Sequence, residues 1–164
     1  MSELIDLVNR DGKIVKRAVE RDDAEQYDGL HMQIVIAVIT NGLGQVLVHE
    51  RAKTKRVNPS DIDHVCGGIL SGESPEVAAK REAKEEVGVE PKNLKVVREG
   101  VNPYGRYCYL LKGESDELPP AELDAAEVTW AAYYPIDELR TKNKSGELTF
   151  VDGFFEDIEA VATS

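Results

Sequence analysis

Cysteine is scarce in this chain, with Cys66 and Cys108 the only two among 164 residues, and so few thiols exclude a disulfide framework. Long apolar runs are missing too: nothing approaches the roughly 20 residues that cross a bilayer. Positive charge is in short supply, 20 Lys and Arg against 31 Asp and Glu, which leaves a formal net charge of −11. A nucleic-acid backbone or an anionic membrane would be repelled by that charge, so neither is expected as the main partner. The three histidines, His31, His49 and His64, lack the spacing of a zinc site. The opening Met-Ser-Glu-Leu-Ile-Asp carries acids where a signal peptide would be basic, and the expectation is a soluble, cytoplasmic protein. Internal repeats and low-complexity tracts are also lacking.

What is present fits one domain over residues 1–164, long enough to bury about 70% of the surface its unfolded chain exposes. Apolar residues flank Asn9-Arg10-Asp11-Gly12, and the Asp-Gly step predicts a β-hairpin that an acidic connector extends to residue 28. Met32 to Ile39 is almost continuously apolar and β-branched, as a strand covered on both faces should be. Further strands are expected at Gln45 to Glu50, Leu94 to Val101, Tyr107 to Leu111 and Val128 to Tyr134. A short helix should follow at Ile136 to Arg140, and an amphipathic C-terminal helix over residues 146–162.

The informative segment lies between Gly67 and Val89. Ser74 is a plausible N-cap with Pro75 at the first helical position, and Gly88 suits the C′ position that ends the helix. On that helix Glu82, Glu85 and Glu86 stand at i, i+3 and i+4, on neighbouring surface. Like charges so placed repel, and the negative end of the helix dipole adds about 0.3–1 kcal/mol against each anion in the last turn. A hard divalent cation such as Mg²⁺ resolves the conflict, taking carboxylate, water and phosphate oxygens together. Ala79, Ala83 and Val87 form a narrow apolar strip beside the acids, which lets the helix sit close to a sheet.

Gly67, Glu73, Arg81, Glu82, Glu85, Glu86, Gly88 and Val89 together resemble the box of the Nudix hydrolases, which spans residues 67–89 here. The sole departure is Ala83 at an aliphatic position. The resemblance implies an α+β fold, an α/β/α sandwich around a mixed β-sheet, and metal-dependent hydrolysis of a nucleoside diphosphate linked to another moiety. It implies Glu82, Glu85 and Glu86 as ligands of Mg²⁺ or Mn²⁺, with Glu73 and the backbone carbonyl near Cys66 as further donors. Glu82 and Glu86 would carry the catalysis with Arg81, which positions Glu82 by ion pairing. Gly67 and Gly68 form the turn beside the substrate.

A second layer, over roughly residues 3 to 90, is similar to the branch of the family that includes isopentenyl diphosphate isomerase. It rests on the hairpin, Leu30-His31, Arg51 with Lys55, Pro59 and Val65-Cys66-Gly67. In that isomerase the cysteine matching Cys66 is catalytic, and histidine ligands stand where this chain has Gly68 and Ala24. Here those histidines are absent and the Glu85-Glu86 pair is intact, which favours a hydrolase over an isomerase. A non-catalytic nucleotide sensor is the third reading, and the full glutamate set argues against it.

Other residues carry weaker signals. Arg51, Lys53, Lys55 and Arg56 form a basic island, with Arg51 and Lys55 the preferred diphosphate clamp. His31 is the best histidine for a substrate contact, and Tyr104, Arg106 and Tyr107 could stack on a base. Glu122 and Glu127 compete for the role of a late acid. The Phe154-Phe155 stripe suits either core packing or a homodimer contact. The identity of the diphosphate compound, the number of metal ions and the oligomeric state are left open by the sequence.

Overall fold

A computed structural model describes residues 2–164. Strands β1 (Leu4–Val8) and β2 (Ile14–Glu20) form the expected hairpin, a two-stranded antiparallel sheet of its own. Its turn is held by the Asn9 side chain, whose Oδ1 accepts the Asp11 and Lys13 N–H groups at 2.9 and 3.0 Å. The connector then takes one short 3₁₀ segment, Arg21–Gln26. Ile5, Leu7, Val19 and Ala24 bury a small cluster beneath it.

The main sheet is mixed and has seven strands, ordered β5-β4-β3-β8-β7. These are β3 (Gln33–Thr40), β4 (Val46–Arg51), β5 (Ile62–Asp63), β7 (Lys92–Val101) and β8 (Tyr107–Glu114). Two more attach to its middle: β6 (Val65–Gly68) antiparallel to β3, and β9 (Val128–Tyr134) antiparallel to β4. β3 lies at the centre, as its apolar run requires, with β8 parallel beside it. Period-2 alternation sends Val35, Ala37 and Ile39 into one core and Val38 into another on the opposite face. Helix α1 (Pro75–Val87) covers the first core, and α2 (Ile136–Ser145) and α3 (Phe154–Ala162) cover the second. The result is the helix–sheet–helix sandwich expected.

α1 starts and stops where its sequence dictates. Ser74 Oγ accepts the Val77 N–H at 3.2 Å, and Gly88 adopts φ 67°, the left-handed conformation that closes the helix. Ala78, Ala79 and Ala83 are buried against the sheet, so the small residue at the aliphatic position of the box is what lets the helix approach. The far end of the chain corrects the expectation of one helix over 146–162. Gly146 at φ 75° ends α2, Gly153 at φ 81° precedes α3, and the chain between them is irregular, with one β-bridge at Phe150. Main-chain bonds tie that segment to the sheet edge, Ile62 N–H to the Thr149 carbonyl and Val151 N–H to the Ile62 carbonyl. Phe154 and Phe155 pack within the second core, alongside Leu148 and Ile158.

His64 is a fully buried part of that core. Its ring stacks on Phe154 at 4.0 Å and its Nε2–H donates to the Phe154 carbonyl at 3.0 Å. Burial lowers its pKa from 6.5 to about 4, only partly offset by that carbonyl. The folded protein therefore holds a neutral ring where the unfolded chain takes up a proton, so the stabilisation is complete above about 6.5 and is lost as pH falls toward 4. His49, lowered by burial to about 3, acts in the same direction. The buried carboxyls of Asp63 and Glu86, raised by burial, act the other way, so the check is a difference: in urea denaturation between pH 7 and 4 the wild type should lose stability relative to His64→Gln as acid is added.

Candidate functional site

The seam between α1 and β6 gathers the acids. Arg81 is its hub: Nε and Nη2 grip the two oxygens of Glu73 at 2.7 and 2.9 Å, Nη1 meets Glu82 at 2.8 Å and Glu85 at 3.4 Å, and Nη2 also donates to the Gly68 carbonyl at 2.8 Å. A planar guanidinium alone offers this fork of donors. Burial would raise the Glu73 pKa, but the Arg81 bonds and the Leu70 N–H outweigh it and hold the group below its ordinary value. At Glu82 burial wins, and its carboxyl is pushed up despite Arg81.

Glu86 is the most enclosed of the three stripe glutamates. Its Oε1 accepts the Cys66 N–H at 3.0 Å, while Oε2 lies 3.5 Å from His49 Nε2. Burial raises its pKa well above the carboxylate range; the Cys66 N–H opposes this, and the negative Glu82, Asp63 and Glu127 reinforce it. No Lys or Arg is ion-paired with Glu86 among the described residues. Glu85 by contrast is 59% exposed. The stripe is therefore one row on the helix whose carboxylates take different surroundings. Among the described residues no three His, Cys, Asp or Glu groups converge closely enough to enclose an ion as they stand. What the seam does offer is a hard oxygen donor set, with a buried carboxyl at Glu86 that no Lys or Arg among the described residues faces and whose ionised form burial disfavours. That chemistry fits a divalent cation.

Gly67 explains itself at this seam. A Cβ built there would lie 2.1 Å from Glu82 Cδ and 2.3 and 2.5 Å from its oxygens, so the carboxylate occupies the space a side chain would need. Gly68 has Arg21 beside it, its notional Cβ 3.5 Å from Nη1, and Arg21 is held by Glu3 at 2.8 Å. Arg21 is a cation that the sequence reading passed over within an acidic connector.

The remaining candidates fall in different places. Arg51 packs inward, Nη1 3.4 Å from Asp63 and Nε donating to the Val57 carbonyl at 3.1 Å. Lys55 is ion-paired with Glu127. Both basic side chains thus have acidic partners instead of standing free as a clamp. Glu127 acts on Glu86, whereas Glu122 lines a separate cavity with Lys53 and Thr54. His31 Nδ1 pairs with the Gly105 carbonyl at 2.9 Å, a bond that docks the end of the connector on the β7–β8 turn. Tyr104 is exposed and donates to Asp152 at 2.7 Å, at the mouth of a cavity of about 600 Å³. Ile36, Arg98, Cys108 and Leu110 line the same cavity. Ile36 pairs with Cys66 across β3 and β6, so the cavity reaches the strand next to the seam, on the face of the sheet that carries the second core. The Cys66 thiol is pushed well above its ordinary pKa by burial, with Asp63 and Glu86 adding to the effect.

The NUDIX domain model matches residues 30–154, which takes in every glutamate of the seam and leaves the hairpin outside. The chain belongs to the NUDIX domain family. A Nudix hydrolase of Deinococcus radiodurans is 35% identical over 89 residues, 54% of this chain and 51% of that protein. The YfcD Nudix hydrolase of Escherichia coli K12 is 29% identical over 89 residues, 54% of this chain and 48% of its own length. This Nudix chain thus spans about half the length of the curated relatives it matches. Among solved structures, a Deinococcus radiodurans protein superposes with a TM-score of 0.72 at 23% identity, covering 96% of this chain and 99% of its own. The NUDIX domain of Shewanella oneidensis NrtR, complexed with ADP ribose, gives a TM-score of 0.60 at 16% identity over 87% and 96% of the two chains. Both likenesses establish the Nudix fold.

Two features of this Nudix site escaped the sequence reading, His49 and Asp63. The signal for His49 was present: Leu47 packs in the core under α1, and a residue two positions on along β4 faces the same side. A polar residue at a core-facing position of a strand asks for a partner, and Glu86 Oε2 stands 3.5 Å from it.

Proposed function

We propose that this Nudix chain is a hydrolase cleaving the diphosphate linkage of a nucleoside diphosphate attached to another group, with Mg²⁺ or Mn²⁺. The observation that carries the reading is the α1–β6 seam, where Arg81 holds Glu73 and Glu82 and the buried Glu86 faces no cationic side chain among the described residues. Glu82, Glu85, Glu86 and the carbonyl at Cys66 or Gly68 would hold the ion, with Glu73 as a further candidate donor. When bound, the ion would neutralise diphosphate charge and acidify a water. Arg81 fixes the Glu82 carboxylate through Nη1 and the Glu73 loop through Nε and Nη2. Burial raises the carboxyls of both Glu82 and Glu86, so either, once ionised, is a stronger proton acceptor than an exposed glutamate. The nucleoside or its appended group would occupy the cavity behind Tyr104, with Arg98 at its wall.

The test is a panel of ADP-ribose, sugar nucleotides, dinucleoside polyphosphates, nucleoside triphosphates and isopentenyl diphosphate, assayed with Mg²⁺ and with Mn²⁺. Release of a nucleotide or of phosphate that stops on chelation is expected; no turnover of any compound would overturn the reading. Cys66→Ala separates the hydrolase from an isomerase, because a hydrolase uses the Cys66 main chain and not its thiol. Hydrolysis should stay within about threefold of wild type, whereas isomerisation of isopentenyl diphosphate, were it present, should vanish.

A further inference from the structure

We infer that His49 is a positioning residue, holding the Glu86 carboxylate in the orientation the hydrolase requires; the inference rests on the function proposed above. His49 sits on β4, on the face of the sheet that α1 covers, and only 1% of it is exposed. Its Nε2 faces Glu86 Oε2 at 3.5 Å, while its Nδ1 is buried without a partner. A neutral imidazole has one N–H to place. On Nδ1 it would be a buried donor with nothing to accept it, and Nε2 would turn a lone pair toward a carboxylate oxygen. On Nε2 it meets that oxygen, so this is the tautomer the surroundings select.

Glu86 is then met on both oxygens: Oε1 accepts the Cys66 N–H of β6 at 3.0 Å, and Oε2 has the His49 ring of β4 at 3.5 Å, a contact longer than a hydrogen bond. Neither contact comes from α1 itself. A side chain with three rotatable bonds is thereby fixed against two strands, and its position no longer depends on the helix alone. The groups facing His49 from its neighbours are few. Asp63 pairs with it across β5 and is taken by Arg51, and Ala131 pairs with it across β9. Lys55 is taken by Glu127. Glu86 is therefore the acceptor for the ring's one donor.

The experiment compares His49→Leu, which fills the space without a donor, with His49→Gln, which restores one. In the hydrolase assay His49→Leu should lower kcat by about 10- to 100-fold, the usual cost of losing a partner behind a ligand, while KM for the substrate stays within about threefold. His49→Gln should recover most of that loss. In the metal-free proteins, amide hydrogen exchange at Cys66 should accelerate in His49→Leu and return toward wild type in His49→Gln, since a loosened Glu86 guards that N–H less well. This second readout needs no turnover, so it tests the inference even if the wild type hydrolyses nothing. Equal Cys66 exchange in all three proteins, or equal loss in the Leu and Gln variants, would overturn it.

Discussion

Replacing Glu86 with Gln should cut kcat by at least a thousandfold with the fold intact. The substitution preserves shape, and its amide oxygen can still accept the Cys66 N–H that Glu86 accepts at 3.0 Å. Its NH₂ would face His49 Nε2, which can turn acceptor by moving its proton to Nδ1. That tautomer leaves a buried Nδ1–H without an acceptor, a local cost set against the relief of the charge. What disappears is the negative charge, the property a divalent cation and a proton-accepting group both require. Because burial raises the carboxyl of Glu86 and the neighbouring Glu82, Asp63 and Glu127 add to that effect, removing the charge relieves a cost in the metal-free state. The melting temperature of the metal-free variant at pH 8 should therefore equal or exceed that of the wild type, while the gain in melting temperature on adding Mn²⁺ should shrink. A variant retaining more than a tenth of wild-type kcat would remove Glu86 from the catalytic set.

Which parts of this were legible in the sequence follows from how local each signal is. The glutamate helix announced itself because cap, proline, apolar strip and C-terminal glycine all lie within its own residues, and each appears in the structure. The central position of β3 was readable from its continuous apolar run, since a strand with two covered faces has no polar alternation to show. The C-terminal segment misled because the spacing of Leu148, Phe154, Phe155 and Ile158 suits one helical face, yet Gly146 and Gly153 interrupt the helix and Leu148 reaches the same core from the bend between them. Periodicity records which residues are buried, not the backbone that buries them.

The site shows the same division. Arg81 with Glu73 and Glu82 could be anticipated because the partners lie in one short stretch of chain. Lys55 with Glu127 spans 72 positions and Arg51 with Asp63 joins two strands, so nothing in the local sequence signals that these cations are already paired. A basic island was a fair reading of composition; in the fold Arg51 lies against Asp63 and Lys55 against Glu127, pairings that a bound diphosphate would have to share. His49 and Glu86 are joined only by the sheet's register with α1, which no spacing rule contains.

Gly67→Ala is the other large effect, and it separates geometry from stability. Gly67 is not among the glycines held in the left-handed region, so an alanine is free to adopt its backbone. The obstacle is the Glu82 carboxylate, whose Cδ stands 2.1 Å from where the methyl would go. That group is the far end of a flexible side chain and can rotate away, so folding should lose no more than about 1 kcal/mol. Rotation, however, takes Glu82 off the 2.8 Å bond to Arg81 Nη1 and out of the seam. Displacing a positioned group by about 1 Å can cost on the order of a hundredfold in rate, and kcat should fall by at least that much. If the methyl acts only through Glu82, the losses cannot add: Gly67→Ala combined with Glu82→Ala should be no slower than Glu82→Ala alone. A double variant slower by a further tenfold would mean that Gly67 serves the reaction through its own backbone, and that the space above it is not reserved for the carboxylate.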